Sequence, residues 1–106
     1  MPMFFLTHYF PRNFQGSPET AAAATAWFAR LGDNLTARGN PQAETRSMGN
    51  CSNEPDRMLA YTLITADDLQ AATALAEAWP LLARGGGVEV RELTTLKPPV
   101  LISPSA

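Results

Sequence analysis

A single histidine, His8, stands in this chain of 106 residues, and imidazole is the side chain best suited to exchange a proton near neutral pH. It lies in the run Met3 to Phe10, on the same alternating set as Phe4, Leu6 and Phe10. In an extended segment that set shares one face. His8 therefore reads either as a packed, hydrogen-bonded core histidine or as a proton-transfer group. Four other residues have the chemistry to accompany it. Asp33 offers a carboxylate and Tyr61 a phenol in a second apolar run, while Glu89 and Arg91 alternate with Val88 and Val90. On a strand beside that of His8, Tyr61 could bring its hydroxyl to the imidazole, although such a tyrosine is more often core with a wet tip. Glu89 and Arg91 suit a solvated edge. Buried between two subunits they would have to pair, and a pair near His8 would form the polar end of an apolar pocket.

Other chemistries find less support. One histidine cannot supply the ligand set of a zinc site, and no metal is expected. Cys51 is the only cysteine, so no disulfide forms within the chain. It falls in a polar loop with no helix dipole or fixed cation to activate it. Gly85 to Gly87 lead into a strand and lack the lysine and helix start of a phosphate loop, so they read as a tight turn. No cofactor motif is present. The formal net charge is −2, and the basic residues Arg12, Arg30, Arg38, Arg46, Arg57, Arg84, Arg91 and Lys97 are scattered. Nucleic acid and anionic membrane surfaces are thereby poor partners. No apolar run nears the roughly 20 residues of a membrane span. Met1 to Phe10 lacks a basic leading segment and a small-residue cleavage site, so the cytoplasm is the expected compartment.

The elements that must position these groups follow from periodicity. Met3 to Phe10 is apolar on both alternating sets, as a central strand covered on both faces would be. After the linker Pro11 to Gly16, Ser17 offers a helix cap and Pro18 a first helical residue. Ala24, Trp27, Phe28, Leu31 and Leu35 make an apolar stripe, which predicts a first helix running to about Arg38 and stopped by Gly39, Asn40 and Pro41. Asp33 then sits about 180° from the stripe, on a solvated face or against a pocket or partner. Ala43 to Met48 reads as a short edge strand and Gly49 to Arg57 as a loop. Met58 to Ile64 reads as a second central strand. Thr65 with Asp68 resembles a capping box for a second helix, whose stripe is Leu69, Ala72, Leu75, Ala76 and Trp79 and which Pro80 stops. Val88 to Leu93 alternates as a half-buried edge strand.

Strand, helix, strand, strand, helix, strand is an antiparallel βαββαβ order, predicting an α+β, ferredoxin-like sheet with both helices on one face. Its first and third strands are apolar on both sides, so the other face needs a cover. A second copy about a twofold axis supplies one, giving a homodimer of α–β barrel type. The domain spans residues 1–96, and the tail 97–106, with three prolines and Val100 to Ile102, reads as a segment that either reaches across to the partner or is disordered.

The segments Trp27-Phe28, Leu31-Gly32-Asp33, Gly39-Asn40-Pro41, Tyr61-Thr62-Leu63-Ile64, Ala66-Asp67-Asp68-Leu69, Ala76, Pro80 and Gly86-Gly87-Val88-Glu89-Val90 together resemble the YCII-related, or DGPF-domain, family. The resemblance runs through most of the domain and implies the same ferredoxin-like fold and α–β barrel dimer. In some members a His-Asp pair is suggested as an acid–base site, and one branch acts on a chlorinated hydroxyquinone. This chain has the polar stretch Cys51 to Arg57 where the Asp-Gly-Pro-Phe motif would stand and no histidine in the first helix. Asp33 alone matches a recurring Leu-Gly-Asp position.

Two function classes follow. One is a cofactor-independent enzyme for a small, ring-bearing molecule, with His8 as acid or base and Asp33, Tyr61 or Glu89 orienting it. The other is a noncatalytic dimer that binds a small ligand or a protein partner. The residues by themselves favour neither.

Overall fold

The computed structural model of the chain describes residues 1–39, 46, 48–50 and 59–94. Four strands and two helices alternate in the order β1 (Met3–Tyr9), α1 (Pro18–Leu31), β2 (Leu35–Gly39), β3 (Leu59–Thr65), α2 (Leu69–Glu77) and β4 (Gly87–Leu93). The strands form one antiparallel sheet in the spatial order β2-β3-β1-β4. This is the ferredoxin-like α+β arrangement, with the two apolar runs in the centre and β4 at an edge.

The pleat divides the sheet into two unlike faces. Phe4, Leu6 and His8 of β1 lie opposite Ile64, Thr62 and Ala60 of β3. With Trp27 and Leu31 of α1, Ala72 and Ala76 of α2, and Trp79 and Leu81, they build the buried core. The reverse face presents Met3, Phe5, Thr7 and Tyr9, opposite Thr65, Leu63, Tyr61 and Leu59 on β3 and opposite Leu93, Arg91, Glu89 and Gly87 on β4. Among the described residues no helix covers it. Tyr61 is 39% and Leu93 45% exposed, and Phe5 stacks on Tyr61 with ring centroids 5.5 Å apart.

Local chemistry starts each helix. Ser17 Oγ accepts from the Thr20 backbone N–H at 3.1 Å while the Ser17 N–H donates to Thr20 Oγ1 at 2.9 Å, a reciprocal cap of the kind that satisfies two orphan donors. Pro18 occupies the first turn. At α2 the cap is Asp68, whose carboxylate accepts from the Ala71 N–H at 2.8 Å, and not Thr65, which is the last residue of β3. Trp27 Nε1 donates to the Leu75 carbonyl at 2.9 Å and ties the helices together.

The first helix is shorter than its stripe predicts. It ends at Leu31, Gly32 takes φ +52, and Gly32–Asn34 form one 3₁₀ turn into β2. Asn34 Nδ2 donates to the Thr65 carbonyl at 2.8 Å, anchoring that turn to the sheet. Leu35 still joins the core, but from the strand β2, whose register with β3 slips at a bulge between Leu35 and Ala37. The edge strand is Leu35–Gly39, and most of the expected strand Ala43 to Met48 lies outside the described residues. So do residues 51–58, with Cys51, and the tail 97–106. Pro80 follows the end of α2 and opens a 3₁₀ turn, Pro80–Arg84. Gly85 (φ +95) closes that turn and Gly86 passes it on to β4. Among the described residues no helix is long and apolar enough to cross a membrane.

Candidate functional site

On the helix-bearing face, a cleft of about 540 Å³ opens between α1, the linker before it, the 3₁₀ turn at Pro80 and the strands β1, β3 and β2. Its walls are mostly apolar: Phe10, Phe14, Ala21, Ala24, Phe28, Trp79 and Leu81. Phe10 meets Phe14 edge to face at 5.3 Å and Trp79 at 5.9 Å. Polar character comes from His8 and Thr62, from Ser17 and Thr20 at the start of α1, and from Arg38.

His8 is 2% exposed. Its Nε2 lies 2.8 Å from Thr62 Oγ1, either donating to it or accepting from the hydroxyl according to the tautomer. Trp79 packs against the imidazole with centroids 4.5 Å apart, and Trp27 meets it edge to face at 5.5 Å. The other ring nitrogen, Nδ1, is buried without a hydrogen-bond partner. Leaving such an atom unpaired costs about 1–3 kcal/mol, which a ligand carrying a matching group would relieve. Burial pushes the His8 pKa down from 6.5 to about 4, because desolvation disfavours the imidazolium. At neutral pH the ring is uncharged, able to accept a proton or hydrogen bond on one nitrogen and donate from the other.

Arg38 reaches the cleft from β2. It lies opposite Thr62 in the ladder, and its Cζ sits 4.1 Å above the ring centroid of Phe28, a cation–π arrangement. Among the described residues no Asp or Glu lines the cleft.

Of the other residues singled out from the sequence, Tyr61 borders the cleft and the rest fall elsewhere. Asp33 is exposed in the 3₁₀ turn after α1. That turn enters β2 beside Ile64 and hence Phe4, four residues from His8 along β1 and so about 13 Å away. Tyr61 faces Thr7 in the ladder, which turns its ring to the opposite side of the sheet from the imidazole. Its Cε1 would lie 2.6 Å from a Cβ on Gly39, so the ring lies over the β2 backbone on the uncovered face. Glu89 and Arg91 occupy that face too, 3.5 Å apart, with the Tyr9 hydroxyl donating to Glu89 at 2.5 Å. They form a polar strip there and do not meet His8.

Thr62, Trp27, Trp79, Phe28 and Arg38 carry the site and were not legible as such. Thr62 had a signal: it is a hydroxyl in the middle of an apolar strand, on the alternating set that includes Ile64. Arg38 had none, since the stripe placed it at the end of a helix and not on a strand beside His8.

No family model matches the chain, and no curated protein matches it. Solved structures do. A 5-chloro-2-hydroxyhydroquinone dehydrochlorinase of Burkholderia phenoliruptrix AC1100, in complex with 2,5-dihydroxybenzoquinone, is 18% identical, with 88% of this chain and 95% of that one covered and a TM-score of 0.55. The cofactor-independent oxygenase SnoaB of Streptomyces nogalater is 14% identical over 91% of this chain and 94% of its own, with a TM-score of 0.45. At these identities the likeness is one of fold.

Proposed function

We propose that the cleft binds a small, ring-bearing molecule and that His8 is its acid–base group, acting without a cofactor. The carrying observation is the neutral, buried imidazole whose Nδ1 has no partner while the side chain lines an apolar cleft. A ligand group placed at Nδ1 would complete its hydrogen bonding, and Thr62 would hold the tautomer through Nε2, as a fixed second partner does for catalytic histidines. Thr62 thus takes the orienting place that the sequence offered to Asp33, Tyr61 or Glu89. The walls of Phe10, Phe28 and Trp79 suit a planar ring. Membership of the YCII-related family, and action on a hydroxylated aromatic as in the dehydrochlorinase of like fold, both accord with this reading.

The same protein is proposed to act as a homodimer joined through the uncovered sheet face. Met3, Phe5, Tyr61, Leu63 and Leu93 place five large side chains there, more than a face meant for water needs.

A second reading has its own support. A neutral histidine packed against two indoles is also what a structural core residue shows, and the chain would then be a binding or interaction dimer without chemistry. Because the chain has one histidine, an ¹⁵N NMR titration of its ring decides. With a panel of phenols, quinones and carboxylates, one class should shift the Nδ1 resonance at neutral pH, and His8→Gln should abolish binding of that class. A ring that responds to no member of the panel would leave His8 as packing.

A further inference from the structure

We propose that the molecule held by this cleft is an anion, its carboxylate or ionised hydroxyl bound by Arg38 at the rim while its ring lies against Phe10 and Trp79. The inference rests on the cleft being a ligand site and adds the sign of the ligand's charge.

Three observations carry it. First, Arg38 stacks its guanidinium on Phe28, which engages the flat face of the group and leaves its in-plane N–H donors available. Among the described residues Arg38 has no carboxylate partner, whereas Arg84 pairs with Glu19 at 3.1 Å and Arg91 with Glu89 at 3.5 Å. Second, no Asp or Glu among the described residues lines the cleft, while α1, a helix of 14 residues, begins at its wall with Ser17 and Thr20. The positive end of that helix dipole and Arg38 bias the cleft the same way. A cationic ligand would meet the Arg38 charge with no carboxylate of the cleft to offset it. Third, His8 is uncharged at neutral pH yet buried with an unpaired nitrogen. It therefore reads a polar group on the ligand without competing with Arg38 for the charge. One site thus has two distinct readers, a cation at the rim and a neutral imidazole on the floor.

Calorimetric titration with 4-hydroxybenzoate and with its uncharged counterpart 4-hydroxybenzamide tests this, using the full-length protein. The acid should bind about tenfold tighter, the gain expected of a charge-assisted contact at a partly exposed site. Arg38→Ala should reduce that preference to within about twofold, lowering the acid's affinity more than the amide's. Arg38→Gln, which keeps the stem over Phe28, should behave like the alanine variant, and Arg38→Lys should retain part of the preference. Raising salt to about 0.5 M should weaken the acid alone. Equal binding of the two probes by the unmodified protein, or a preference that survives both Arg38→Ala and Arg38→Gln, overturns the anion assignment and leaves a cleft for neutral ligands. Failure of both probes to bind, with the His8 ring signals unmoved, overturns the assignment together with the ligand-site reading beneath it.

Discussion

His8 and Thr62 bond across the β1–β3 ladder without being direct neighbours in it: Nε2 and Oγ1 lie 2.8 Å apart, yet His8 stands opposite Ala60 and Thr62 opposite Leu6. The contact is diagonal. Thr62→Val keeps the shape and removes the hydroxyl, leaving both ring nitrogens of a buried histidine unpaired. Urea unfolding should show a loss of about 1–3 kcal/mol, with Thr62→Ser recovering most of it. An unchanged midpoint for Thr62→Val would mean that the bond adds nothing to the fold.

Acid should destabilise the protein through His8. The unfolded imidazole takes up a proton near pH 6.5 and the folded one only near pH 4, so between those values the unfolded chain binds more protons and stability falls as pH drops. Stability from this source is complete above pH 6.5. The full loss by pH 4 is about 3 kcal/mol. Unfolding curves at several pH values should slope accordingly in the unmodified protein and be flatter in His8→Gln. Parallel slopes for the two would place the pH dependence elsewhere.

Gly86 should tolerate no side chain. A Cβ there would lie 2.8 Å from the Leu81 carbonyl oxygen, 2.9 Å from that of Tyr9 and 3.2 Å from the Trp79 ring. Two of those neighbours are backbone and cannot swing aside. Gly86→Ala should cost about 1–3 kcal/mol in chemical denaturation, and by displacing Trp79 it should also shift the His8 ring resonances.

The uncovered sheet face yields a test of assembly. Leu63 lies opposite Phe5 at its centre, so Leu63→Glu would place a charge in the proposed twofold contact. Sedimentation equilibrium should give a dimer for the unmodified protein and a monomer for Leu63→Glu with its circular dichroism intact. A monomer in both would leave that face without its proposed partner.

Much of this architecture was legible because local and long-range signals agreed. Two apolar runs made the central strands, Ser17-Pro18 began a helix, and the alternation of Val88 and Val90 with charged residues made an edge. The end of α1 was misread for a physical reason: Leu35 follows Leu31 by four residues and continues the helical stripe, although it reaches the same core from β2. Periodicity cannot separate the two while the left-handed turn at Gly32 and the anchor from Asn34 to Thr65 are unknown. That error hid Arg38. The faces of Tyr61 and Glu89 depend on strand register, which the sequence does not print, and one residue of slip exchanges them. His8 was legible as a candidate, but its partner Thr62 emerges only from the ladder.

The bulge between Leu35 and Ala37 bears on how the molecule avoids polymerising. An exposed strand edge invites another strand to add to it, and a kinked, short edge resists such growth. β2 has five residues, a register slip within them and the cation of Arg38, while at the opposite border β4 carries Glu89, Arg91 and Glu92. Ribbon-like extension of the sheet is thereby discouraged at both margins.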